Sequence, residues 1–132
     1  MSIHYFSVDE ATLCLPWLEE IFLRLGEVEK EIQQYNQKVA KLQRSGHRNG
    51  STSVEESIED EQKLMDFEEG TVRNLLKKIA DRGILVRDYS VGLVDFLHKR
   101  EDRDVYLCWL RGEESISFWY ETNSGFANRQ PL

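Results

Sequence analysis

Residues 14–42 read CLPWLEEIFLRLGEVEKEIQQYNQKVAKL, and the fold turns on that stretch. Its apolar positions step Cys14, Leu18, Ile21, Leu25, Val28, Ile32, Tyr35, Val39 and Leu42, alternating four and three apart without a break. Such a heptad seam predicts a long helix lying against a partner helix. Upstream, Ser7-Val8-Asp9-Glu10 reads as a capping box: Ser7 accepts from the Glu10 amide, and Glu10 reaches back to the amide of Ser7. Phe6 and Ala11 stand where a hydrophobic staple closes. A helix from this cap to Arg44 is on the order of 55 Å long at 1.5 Å per residue. Pro16 is in conflict with it, because proline removes a backbone donor and crowds the carbonyl of Thr12. The helix either kinks or restarts there, and the quality of the Ser7 cap favours a kink.

Downstream, residues 45–52 (SGHRNGST) are polar with two glycines, and a flexible loop is expected. Ser53-Val54-Glu55-Glu56 is a second capping box, followed by a stripe of Val54, Ile58, Met65, Val72, Leu75 and Ile79. Gly83 suits a left-handed C-terminal cap. Lys38, Lys41, Arg44 and Arg48 close the first helix, and Glu55, Glu56, Glu59, Asp60 and Glu61 open the second. Antiparallel pairing brings these runs together, so the basic cluster reads as structural rather than as an anion site. Glu61 and Glu68 fall where the second stripe calls for apolar residues. A small helix rotation exposing them is the simpler expectation, and a polar layer or metal site the alternative. Di-iron bundles use Glu-x-x-His on two helices. Neither helix has that motif, so this chemistry is rejected. The stripe between Val28 and Met65 is narrow, and an isolated helix pair is marginally stable. A homodimer through the helical hairpin is therefore expected.

Beyond Gly83 the apolar period shifts from helical to alternating. Ile84–Arg87, Val91–Phe96, Val105–Leu110 and Ser115–Tyr120 read as strands, with a turn at Arg111-Gly112-Glu113-Glu114. Val105–Leu110 is apolar on both faces and is expected to be central. Leu97–Asp104 is mixed in charge and reads as a solvated loop. In the tail, Phe126 is expected to bury and Arg129 to find a carboxylate. The fold class is α+β, a long antiparallel helical hairpin packed on a small antiparallel β-sheet of three to four strands. Its 132 residues suit one domain, with the hairpin over 8–82 and the sheet and tail over 84–132.

A net charge of −7 disfavours phosphate backbones, so no nucleic-acid partner is expected. No apolar run approaches the roughly 20 residues that span a bilayer, and the start lacks signal-peptide character. A cytoplasmic protein without a membrane partner follows as the expectation. Cys14 and Cys108 lack metal spacing and read as free, apolar thiols, and no cofactor is expected.

Gly92-Leu93-Val94-Asp95-Phe96, Tyr106-Leu107-Cys108-Trp109 leading to Gly112-Glu113, then Trp119, Gly125-Phe126 and Arg129-Gln130-Pro131-Leu132 resemble the domain-of-unknown-function family numbered 2203. Phe6–Ala11 with Leu15-Pro16 fits it too. The resemblance covers essentially the whole chain, with its distinctive stretches toward the C-terminus. It implies a soluble bacterial protein and carries over no activity. Members often have His after the tryptophan of the last strand, where this chain has Tyr120, so a base or ligand role for that histidine does not transfer.

No Gly-x-Ser-x-Gly, phosphate loop or ordered Ser or Cys with His is present, and no catalytic residue is assigned. A non-catalytic interaction or scaffold module is the leading expectation. The alternative is a small-ligand or anion-binding protein, or an enzyme, using Asp88, Asp95, Glu121 and Arg129 set among Trp109, Trp119 and Phe126. The plainer account of the same residues is that Arg129 pins the tail by pairing with Asp88 or Asp95, with the aromatic residues as core.

Overall fold

The computed structural model describes residues 3–49 and 52–132. In chain order it contains α1 (Val8–Asn49), α2 (Thr52–Asp81), β1 (Ile84–Asp88), β2 (Leu93–Arg100), β3 (Arg103–Leu110), β4 (Phe118–Glu121), a 3-10 turn (Phe126–Asn128) and β5 (Gln130–Pro131). The α+β class and the helical hairpin follow directly. By its internal contacts the chain has two compact units, residues 1–22 with 76–132, and residues 23–75.

The Ser7 cap forms as its sequence demands. The Glu10 amide donates to Ser7 Oγ at 3.0 Å, and the Ser7 amide donates to Glu10 Oε1 at 3.3 Å. Phe6 and Ala11 bury beside it. Pro16 lies inside a continuous α1, so the helix does not restart there. After the last turn of α2, the Gly83 amide donates to the Ala80 carbonyl at 2.9 Å, and Gly83 takes φ 84°, the left-handed cap expected of it. The expected loop over residues 45–52 is shorter: α1 continues to Asn49 and α2 begins at Thr52. Gly50 and Ser51 lie outside the described residues, as does the side chain of Ser53 on which the second capping box depends.

The sheet has five antiparallel strands in the order β1-β2-β3-β4-β5, one more than the upper expectation. The fifth is the tail itself: Trp119 pairs with Gln130 and Phe118 with Pro131, and the Leu132 amide donates to the Ser117 carbonyl at 3.0 Å. As its two-sided apolar pattern predicts, β3 is the middle strand. The region read as a solvated loop over Leu97–Asp104 is instead a tight hairpin, with β2 and β3 paired all the way to Arg100 and Arg103. Its two central residues, Glu101 and Asp102, both take positive φ, 51° and 63°. That backbone matches strand twist but is normally signalled by Asn or Gly, which this sequence lacks. The charges there are cross-strand partners, Lys99 Nζ reaching Asp104 Oδ1 at 2.7 Å. Conversely, the strand expected from Ser115 begins only at Phe118, and residues 111–117 form a longer connection.

Alternation divides the sheet into two faces. Ile84, Val94, Phe96, Val105, Leu107 and Trp109 share one face and are fully or almost fully buried. Within the same unit, the Phe6 and Phe96 rings meet edge-on at 5.1 Å, and Phe22 lies 6.5 Å from Trp109. Helical residues thus cover this face, and each such buried aromatic or aliphatic side chain contributes roughly 1.5–3 kcal/mol.

In the unit of residues 23–75, Leu25, Val28, Ile32 and Val39 bury along α1 as the heptads require. Lys38 Nζ reaches Glu61 Oε1 at 3.0 Å, which fixes the antiparallel register and meets the expected pairing of basic and acidic runs. Glu61 and Glu68 are buried, so the helix has not rotated to expose them, and a polar layer is what forms.

Candidate functional site

The opposite face of the sheet gathers the more unusual chemistry. Asp95 lies between Val94 and Phe96, which serve the helix-covered face, so its own side chain turns the other way. Its strand partners are Leu85 and Cys108. Asp95 is fully buried, yet two groups donate to its Oδ2: Arg87 Nε at 2.7 Å and the Tyr120 hydroxyl. Oδ1 has no hydrogen-bond partner among the described residues. The Arg87 guanidinium, held above its ordinary pKa by the Asp95 hydrogen bond, lies 5.0 Å over the Tyr106 ring. Burial, reinforced by the hydrogen bond to Asp95, holds the Tyr120 hydroxyl well above its ordinary pKa. Burial likewise pushes the Cys108 thiol up to about 12, with Asp95 adding to the shift and Arg129 opposing it. Cys108 is thus a protonated, inert thiol at neutral pH.

Arg129 anchors the tail, but its partner is Glu113 rather than Asp88 or Asp95. Its Nη1 donates to both Glu113 oxygens, at 3.1 and 3.0 Å. The same glutamate accepts the Leu110 amide through Oε1 at 2.7 Å, and its carbonyl accepts Trp109 Nε1 at 2.9 Å. The guanidinium is sandwiched between the rings of Phe118 and Phe126, 4.1 Å from each. Phe126, expected to bury, stays 43% exposed, because one ring face meets Arg129 and the 3-10 turn carrying it has no buried residue. In the sequence Glu113 stands in the turn after Leu110 and in one of the stretches that carry the family resemblance. Its adjacency to Gly112 was the one local signal, and the long-range pairing with Arg129 is invisible to spacing.

The residues singled out from sequence are therefore spread over several places. Asp95 and Arg129 both reach Cys108, and Trp109 joins Arg129 through Glu113. Asp88 is exposed and accepts from the Ser90 amide and hydroxyl, which hold its carboxyl below its ordinary pKa. Glu121 pairs with Arg103 Nη2 at 3.0 Å. Trp119 is buried under the Arg100 guanidinium, 4.5 Å from the ring centre, and its Nε1 has no partner among the described residues. A groove of about 560 Å³ runs between Leu76 and Ala80 of α2 and residues 84–89, including Arg87 and Asp88. Among the described residues no group of three or more His, Cys, Asp or Glu side chains is arranged to hold a metal ion. No helix there is long and apolar enough to cross a membrane.

A second concentration of unusual features lies in the hairpin unit. Glu68 shares a hydrogen bond with Glu31, which holds the Glu68 carboxyl above its ordinary pKa; burial adds to this and Arg24 opposes it. Two carboxyl groups hydrogen-bond only if one keeps a proton. Glu61 Oε2 and Glu68 Oε2 are buried without a partner among the described residues. On the same helix Phe67 is 72% exposed and Leu64 46%.

No curated protein and no solved structure matches the chain. A family model does, over residues 4–132, and the chain belongs to the family described as uncharacterized conserved protein, DUF2203.

Proposed function

We propose that this chain is a non-catalytic interaction module that self-associates through its helical hairpin as a coiled-coil-like dimer. The observation that carries this is the exposure of two large apolar side chains on α2, Phe67 at 72% and Leu64 at 46%. Large apolar side chains left open to water on one helix favour a surface that is completed by association. The proposed setting is the cytoplasm, where the free thiols Cys14 and Cys108 stay reduced.

Sedimentation equilibrium across a range of concentrations tests this. Twice the chain mass is expected at roughly micromolar concentration, typical of specific dimers. Phe67→Glu is expected to return the mass to one chain while the far-ultraviolet helix signal is retained. A single-chain mass for the unaltered protein throughout that range removes the proposal.

A second reading, a small-ligand or anion-binding protein acting through the sheet, draws support from the partnerless Asp95 Oδ1. A thermal-shift screen of metabolites and divalent ions tests it, since a ligand favouring the folded state raises the melting temperature. No shift in the wild type with any compound counts against it.

A further inference from the structure

The sheet has two edges, and they are built differently. The β5 edge is two residues long and ends in Pro131, which has no amide to offer, a common way of blunting an edge. The β1 edge opens with Ile84-Leu85-Val86, three aliphatic residues without proline or charge, before the irregularity between Val86 and Asp88. Just beyond Ile84 the chain covers the edge of β2 with its own backbone, the Phe6 amide donating to the Leu97 carbonyl at 2.7 Å. Along the outer side of β1, the first strand in the sheet order, no backbone among the described residues is hydrogen-bonded.

Register decides which groups that side presents. Arg100 and Arg103 flank a two-residue turn and so exchange both backbone bonds. Counting back along β2, the even-numbered residues bond β3 and the odd-numbered ones face the β1 side. The Leu97 carbonyl follows this rule, since it accepts from Phe6. Asp95 therefore exchanges bonds with Leu85, its partner in β1, and the amides and carbonyls of Ile84 and Val86 point away from the sheet. The side chains of Ile84 and Val86 lie on the helix-covered face, beside the groove of about 560 Å³ that Leu76 and Ala80 of α2 form with β1. All of these residues belong to the unit of residues 1–22 with 76–132.

We propose that the β1 edge is a docking site for an extended peptide segment with an apolar residue at every second position, added beside β1 as a sixth strand. The hydrogen-bonding groups identify the occupant. A row of outward amides and carbonyls is matched by another extended backbone, whereas a helix uses its own backbone groups internally. The groove identifies the side chains. A strand about 4.8 Å beyond β1 sends every second side chain to the face that holds Leu76 and Ala80, where an apolar group gains by leaving water and a charged one loses. The alternate side chains face the other way and are free to be polar. This goes beyond the self-association argued above and does not depend on it, because Leu64 and Phe67 belong to the unit of residues 23–75.

Amide hydrogen exchange of the full chain, read residue by residue, tests this with a synthetic probe, a capped heptapeptide of alternating valine and threonine. In the free protein the Leu85 amide is expected to exchange slowly and those of Ile84 and Val86 quickly. Saturating peptide is expected to slow Ile84 and Val86 by about tenfold or more, and the same peptide N-methylated at its central amides to leave them unchanged. Val86→Pro removes an outward amide without touching the bonds to Asp95, a place where an edge strand tolerates proline. Ala80→Glu puts a charge in the groove from an exposed helix position, and it serves where Val86→Pro fails to fold. Each variant is expected to weaken peptide binding by about tenfold or more. No slowing with the unmodified peptide, or equal slowing with the N-methylated one, overturns the proposal. Slowing that grows with protein concentration in the absence of peptide assigns the edge to a second copy and overturns it as well. Chain mass enters none of these readouts, so self-association through the hairpin stands or falls separately.

Discussion

Tyr120 of β4 and Asp95 of β2 are separated by a whole strand, yet the Tyr120 hydroxyl donates to Asp95 Oδ2 across Cys108 of β3. The carboxylate is fully buried, and its other oxygen has no partner among the described residues. Tyr120→Phe is therefore expected to cost about 1–3 kcal/mol, the range for a buried acceptor losing a donor. Urea denaturation at neutral pH measures it. A change within error would mean that Arg87 alone satisfies Asp95.

The same face makes the protein sensitive to alkali. Burial moves Cys108 from 9.0 up to about 12, and Tyr120 is likewise raised from 10.0. In each case the unfolded chain releases its proton before the folded one does, so stability is full below the unfolded pKa and declines as pH rises through the folded one. The decline is expected to begin near pH 9 with Cys108 and to steepen above pH 10, at no more than about 1.4 kcal/mol per pH unit for each group. Unfolding midpoints from pH 7 upward report it. Cys108→Ala is expected to delay the onset by removing the first component, and an unchanged profile in that variant would refute the assignment.

Glu68 has the corresponding sign at lower pH. Its folded pKa lies above 4.5, so the hairpin unit loses stability as pH rises through that value. Glu31→Gln supplies an amide that donates to Glu68 without needing a shared proton. The expected result is a higher melting temperature at neutral pH and a flatter profile from pH 4 to 7 relative to wild type. A lower melting temperature at neutral pH would show that the pair stabilises as it stands.

Gly92 and Gly70 should respond to alanine with opposite signs. Gly92 has φ 75°, and an added Cβ would lie 2.6 Å from the Cβ of Arg111, so the β1–β2 turn and the end of β3 must both shift. A loss of about 2 kcal/mol or more is expected. Gly70 is mid-helix, where the nearest atom to an added Cβ is the far end of Arg73 at 3.6 Å. Gly70→Ala is expected to gain about 0.5–1 kcal/mol. Chemical denaturation of both variants checks the pair of signs.

Arg129→Lys keeps the charge but loses the planar group that lies between Phe118 and Phe126. Faster hydrogen exchange is expected at the Leu132 amide, which β5 holds against Ser117, with about 1–2 kcal/mol lost overall. Unchanged exchange at Leu132 would mean that the β4–β5 pairing alone secures the tail.

Sequence alone determined the elements whose causes are local. The heptads from Cys14 to Leu42, the Ser7–Glu10 box and the Gly83 cap depend on neighbours within a few residues, and each forms as its chemistry requires. The two-sided apolar pattern likewise made β3 central. Tertiary structure decided whatever depends on groups distant in the chain. Arg129 chose Glu113 over the aspartates because the tail returns as a fifth strand beside β4. Asp95 became a buried acceptor because β3 brings Tyr120 within reach, and Glu68 stayed buried because register set Glu31 against it. The hairpin at Glu101-Asp102 was hidden for a related reason: strand pairing imposes positive φ on Glu101, which does not favour it, as well as on Asp102. Local propensity acts over one or two turns of chain. Ion-pair partners and burial depend on which strands and helices become neighbours, and spacing along the sequence does not encode that.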